Sequence, residues 1–137
     1  MSGELAVVAS VVILIAIIVG VSFLQRQPQE LKPEYFTKRW KELQNLCKKK
    51  DTWPLAVIDA DKLLDEALKK KKYKGKSMGE RLVKAQRDLT DNDGVWNGHK
   101  LRNRLVHEEK VRLKEKEVKE ALVGFRQALK DLGALTK

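Results

Sequence analysis

Residues Leu5 to Leu24 form an unbroken apolar stretch in which only Ser10, Gly20 and Ser22 are not aliphatic or aromatic. At the helical rise, such a stretch spans about 30 Å, the thickness of a bilayer's hydrocarbon core. Lipid offers backbone amides no partners, so a segment crossing it must pair them internally, as a helix does. A cleaved signal peptide would carry a basic n-region, a shorter apolar run and a small-residue cleavage site. No Lys or Arg precedes Leu24 and no Ala-x-Ala follows it, so the stretch reads as an uncleaved single-pass anchor.

The charges fix an expected orientation. All 29 Lys and Arg residues follow the anchor, beginning at Arg26. By the positive-inside rule the C-terminal part is cytoplasmic and residues 1–4, with Glu4, lie outside the cell membrane. Setting Glu4 apart leaves 18 acidic residues against 29 basic ones, a net +11 on the remainder. That imbalance points to polyanionic partners, either RNA or an anionic membrane surface. Cys47 is the single cysteine, which excludes an internal disulfide framework and a cysteine-rich zinc site. No spacing in the chain asks for a metal or another cofactor, and none is expected.

Beyond the anchor the chain reads as all-α. Residues 25–33, with Pro28 and Pro33, form a linker, and 34–137 a four- or five-helix antiparallel bundle. The first soluble helix begins near Glu34 and aligns Phe36, Trp40, Leu43 and Cys47. Asp51 or Thr52 is placed to cap the second, with Pro54 in its first turn. Its stripe is Trp53, Ala56, Val57, Ala60, Leu64, Ala67 and Leu68. Leu55 and Ile58 fall off that stripe and suit a second surface. Lys69 to Lys76 closes this helix, and Ser77 with Glu80 has the spacing of a capping box. A third helix runs to about Leu89 on Met78, Leu82, Ala85 and Leu89. Asp93 is a candidate cap for the fourth, which holds Trp96, Leu101 and Leu105. Val118, Leu122, Phe125, Leu129 and Leu132 form the seam of the last, and Gly133 is placed to end it.

The fourth helix carries the run Leu101-Arg102-Asn103-Arg104-Leu105-Val106-His107. Arginine is a permanent cation whose donor fork fits a phosphate, and histidine exchanges protons near neutrality. Together they supply what acid/base chemistry on a phosphodiester requires. This Arg-Asn-x-x-x-His arrangement, within roughly Lys38 to Gly133, resembles the signature of the HEPN superfamily. Those are small all-helical domains, many of them metal-independent ribonucleases. The resemblance implies an endoribonuclease or RNA-binding module in stress response or defence, dimeric because two motifs share one cleft. It assigns His107 as general base, Arg102 as phosphate clamp and Asn103 as orienting amide. Products would end in a 2′,3′-cyclic phosphate and a 5′-hydroxyl. No tyrosine follows His107, as it does in some branches, and Glu108 and Glu109 would repel RNA.

Helical geometry adds a condition. Arg102 and His107 lie about 140° apart on an unbroken helix, so the helix must bend or a second protomer must supply one group. The HEPN resemblance implies the second solution, so a homodimer is expected. Arg104, Lys74 and Lys76 are candidate substrate contacts, and His99 and Asp61 candidate supports. His99 shares a face with Arg102, and a packed, hydrogen-bonded histidine is its plainer role. Asp61 lies in line with Val57, Leu64 and Leu68, where a carboxylate needs a partner. Arg102 or Arg104 would serve, and so would surface Lys62 or Lys69.

The bland alternatives are specific too. Arg102 and Arg104 can pair with Glu108 or Glu109, and His107 can complement the helix dipole. Lys48 to Lys50 and Lys69 to Lys72 also close helices, whereas Lys74 and Lys76 lie past a helix end. Trp40, Trp53 and Trp96 fall on or beside core stripes, which argues against base stacking. A strict up-down path would gather Arg102, His107 and Lys69 to Lys76 at the membrane-proximal end. The other function class is a non-enzymatic, membrane-anchored helical scaffold that recruits a protein partner.

Overall fold

A computed structural model describes residues 1–136. Six α-helices make up the described chain, with no strand among them. Helix α1 spans Ser2–Arg26, 25 residues with a mean hydropathy of 3.1 over its apolar window, and none of it is buried. It is long and apolar enough to cross a membrane. It extends two residues past the apolar stretch and stops before Pro28, leaving 27–32 as the connection. Leu31, in that connection, is buried in the core of the bundle.

Helix α2 is Pro33–Leu46, with its proline in the first turn, where a missing amide hydrogen costs nothing. It buries Phe36, Trp40 and Leu43. A short 3-10 turn, Lys50–Thr52, leads into α3, Trp53–Lys70. Neither Asp51 nor Thr52 caps α3 through its side chain. The Thr52 hydroxyl instead donates back to the carbonyls of Leu46 and Lys49, closing the α2–α3 turn.

Helix α4 is Met78–Ala85, followed by a 3-10 turn over Gln86–Asp88. The Ser77 hydroxyl accepts from the Glu80 amide as expected, but Glu80 accepts from the Lys76 amide rather than closing a reciprocal box. Helix α5, Asn92–His107, is capped by Asp91, two residues before the expected Asp93. Helix α6, Glu115–Asp131, ends at Gly133, which has φ +81°. Ala134 and Gly133 donate to Leu129 and Lys130 there, a Schellman arrangement.

Phe36, Val57, Leu64, Leu68, Leu82, Val95, Phe125 and Leu129 are fully buried and form one core. Helices α5 and α6 approach closely because Gly98 and Gly124 face the contact. A Cβ on Gly98 would stand 2.8 Å from the Phe125 ring, and one on Gly124 2.6 Å from the Gly94 backbone.

The path of the chain corrects the strict up-down expectation. With eight residues, α4 is about 12 Å long and cannot traverse the bundle. The bundle consists of α2, α3, α5 and α6, and α5 begins at the end where α3 stops. Thr90 bonds Asp131, so the start of α5 meets the end of α6. The start of α3 lines a groove with Val111 to Lys114, just past the end of α5. Meanwhile the Gln29 amide donates to the Lys70 carbonyl at 3.0 Å, tying the end of α3 to the connection from α1. Lys69 to Lys76 thus lies at the α1 end, and His107 at the far one.

Candidate functional site

Asp61 occupies the middle of α3 and is 3% exposed. An ionised carboxylate at that depth must be paired. Helix α5 supplies two partners one turn apart. The His99 Nδ1–H donates to Asp61 Oδ1 at 2.7 Å, and the Arg102 guanidinium Nε lies 3.5 Å from Asp61 Oδ2. Both readings of His99 therefore meet: it is packed and hydrogen-bonded, and it sits in the same cluster as Arg102. Trp96 closes one side, its ring edge-on to the imidazole with centroids 5.9 Å apart. Neither Lys62 nor Lys69 is the partner of Asp61, since Lys69 pairs with Asp65 at 3.3 Å.

Two of the three guanidinium nitrogens of Arg102 lie beside protein acceptors. Its Nε is buried without a well-formed hydrogen bond, Nη1 donates to Asn103 Oδ1 at 3.0 Å, and 29% of the side chain stays accessible. Nη2 has no hydrogen-bond partner among the described residues and is the nitrogen with donors left for a further anion. The adjacent amide of Asn103 orients the arginine rather than the histidine.

His107 is the last residue of α5 and is exposed. The helix runs to it without interruption, and the Glu108 amide still donates to the Arg104 carbonyl. Arg102 and His107 therefore point about 140° apart, and one chain does not bring them together. Arg104 lies near Glu108 at 4.0 Å and Glu117 at 3.8 Å, both on exposed or half-exposed positions. Lys74 and Lys76 stand at the other end of the bundle, roughly 20 Å from His107 along the axis. The structure does not join them to Arg102.

No family model, curated protein or solved structure matches this chain. Its chemistry must be argued from its own residues.

The sequence does not announce Arg81, and it places Trp53 on a core stripe that the fold only half buries. Arg81 is 8% exposed and makes a two-pronged pair with Asp65, at 2.7 and 2.9 Å, while donating to the Gly75 carbonyl at 2.8 Å. Its one signal is its place at the i+3 position of the stripe Met78, Leu82, Ala85. Trp53, with Lys50, Arg112 and Lys114, lines a groove at the His107 end of the bundle. Its indole N–H donates to the Cys47 carbonyl at 3.0 Å, which leaves the ring as the groove-facing element. Burial pushes the neighbouring Cys47 thiol pKa up, so it is a poor nucleophile.

Proposed function

We propose that the chain is a HEPN-like, single-pass membrane protein whose cytoplasmic bundle cleaves RNA as a homodimer. Arg102 holds the scissile phosphate, and His107 of the second protomer takes the proton from the ribose 2′-hydroxyl. That oxygen attacks phosphorus, the 5′-oxygen leaves with a proton from water as a 5′-hydroxyl, and a 2′,3′-cyclic phosphate remains. The observation that supports the reading is Arg102 itself, bonded to Asn103, beside the buried Asp61 carboxylate and still partly accessible. A clamp positioned before substrate arrives loses little freedom on binding.

The proposed dimer is supported by the divergence of Arg102 and His107 on an uninterrupted helix, since one protomer cannot supply both to one phosphate. Leu55 and Val106, exposed apolar residues at the start of α3 and the end of α5, lie at the same end as His107 and suit a protomer interface. Those two residues equally favour the second reading, an anchored scaffold that recruits another protein there.

Complementation separates the readings. Full-length chain in nanodiscs is incubated with mixed RNA in EDTA, and fragment ends are examined for cyclic phosphate. Arg102→Ala and His107→Ala are each expected to abolish cleavage. Co-reconstituting the two should restore about a quarter of wild-type activity, since random pairing leaves one intact composite site in half of the dimers. Absence of cleavage by wild-type chain favours the scaffold.

A further inference from the structure

The last turn of α3 and the loop after it carry six lysines, Lys69 to Lys72, Lys74 and Lys76, and no carboxylate lies between Lys69 and Lys76. The loop folds back beside the end of α1. Arg26, Lys69, Lys72, Tyr73, Lys74 and Arg81 line a cleft of about 340 Å³ there. The Gln29–Lys70 backbone bond holds this loop to the chain only three residues after α1 ends, a reach of about 10 Å. If α1 spans a bilayer, the cleft opens at the headgroup layer.

The loop is built rather than slack. Arg81 grips both Asp65 and the Gly75 carbonyl, and the Tyr73 hydroxyl donates to Asp88. The nearby acids are thereby occupied: Asp65 faces Arg81 and Lys69, Asp88 faces Tyr73, and Glu80 accepts from the Lys76 amide. Among the described residues no carboxylate comes within ion-pair distance of Arg26, Lys72 or Lys74.

Lys72 adds a second observation. It is the C′ residue of α3, with φ +64°, and its amide and that of Tyr73 donate to the Lys69 and Leu68 carbonyls. Glycine fits that position best, because a side chain in the left-handed region is strained. A lysine held there at a cost to the fold is the pattern of strain kept for a binding role.

We propose that this cleft binds the phosphate-bearing headgroup of an anionic membrane lipid. The inference rests on the reading of α1 as a membrane span, but on nothing about RNA cleavage. The bound lipid would fix how the bundle sits on the membrane, with its far end, and His107, directed away from the surface.

The test uses full-length chain in mixed phosphatidylcholine and phosphatidylglycerol bilayers. After mild detergent extraction, intact protein is weighed with the lipid it retains. Phosphatidylglycerol should be retained in preference to phosphatidylcholine. Lys72→Gly with Lys74→Gln should weaken retention about 25-fold, close to fivefold per lysine near the surface. Lys48→Gln with Lys50→Gln, at the far end, should not alter it. Lys72→Gly alone should raise the melting temperature while lowering retention, which a merely structural lysine would not do.

Equal retention of both lipids, or no effect of the double variant, overturns the site. Displacement of lipid by millimolar inorganic phosphate alone would show a simple anion site and overturn the lipid assignment. So would tighter, Lys72-dependent binding of a short RNA. Chain that still resists alkaline carbonate extraction in those cases keeps the anchor while losing the headgroup site.

Discussion

Two carboxylates one turn apart on α3 are handled in opposite ways. Asp65 receives a two-pronged guanidinium from Arg81, a second cation from Lys69, and a loop fastened through the Gly75 carbonyl. Asp61 lies deeper, yet it has one short bond from His99 and only an off-line approach by Arg102. Saturated pairing is what an ion pair needs to offset its desolvation. The Asp65 arrangement meets that requirement and serves the fold. The Asp61 arrangement leaves Nη2 of a partly accessible arginine without a partner among the described residues.

Removing each arginine tests that difference. Arg81→Ala leaves Asp65 in a mostly buried position with only the surface Lys69, and it frees the loop. The expected loss is about 3 kcal/mol, the range for breaking a buried pair from one side. A denaturation midpoint in detergent measures it. An effect below about 1 kcal/mol would mean that water reaches Asp65 freely and that the contrast is illusory.

Arg102→Ala should cost less in stability, about 1 kcal/mol, because Asp61 keeps its bond from His99. Under the proposed RNA-cleaving reading, its effect on cleavage should be at least about a hundredfold, as expected for losing a donor to a developing phosphate charge. Arg102→Ala as destabilising as Arg81→Ala would place Arg102 in the fold and remove it from the site.

Much of this was legible in the residues because apolar periodicity survives folding. The span of α1, the stripes of α2, α3 and α6, and the stop at Gly133 all follow from it. The polarity of α5 did not. Met78, Leu82, Ala85 and Leu89 keep helical spacing through the 3-10 turn at Gln86–Asp88, so the pattern conceals that α4 ends after two turns. That one short helix places His107 far from the lysine loop. The cap of α5 was ambiguous because Thr90 to Asp93 are all capping types, and only the fold selects Asp91. At Asp61 the sequence announced a buried carboxylate needing a cation. The identity of its partners depended on how α3 and α5 are aligned, which no single-chain pattern encodes. Arg81 was missed for a different reason: an arginine within an apolar stripe reads as exposed until a buried acid is seen opposite it.

The smallest expected effect concerns the loop on the saturated side. Burial, then the hydrogen bond to Asp88 and the nearby negative charge, push the Tyr73 phenol pKa from 10 up to about 12. The neutral phenol is the form the fold favours, so its contribution is complete below pH 10 and is lost as pH rises toward 12. Tyr73 is only half-buried, so the effect on global stability should be slight and is best read locally. Amide exchange would be confounded at such pH, whereas the ultraviolet absorbance of phenolate gives the titration directly. Difference spectra of wild type against Tyr73→Phe should show a component titrating near pH 12, and wild type should lose melting temperature over pH 10–12 more steeply than the variant. A component titrating near pH 10 would detach Tyr73 from Asp88. The loop would then be fastened without the phenol, through Arg81, the Gln29–Lys70 backbone bond and the bond from the Lys76 amide to Glu80.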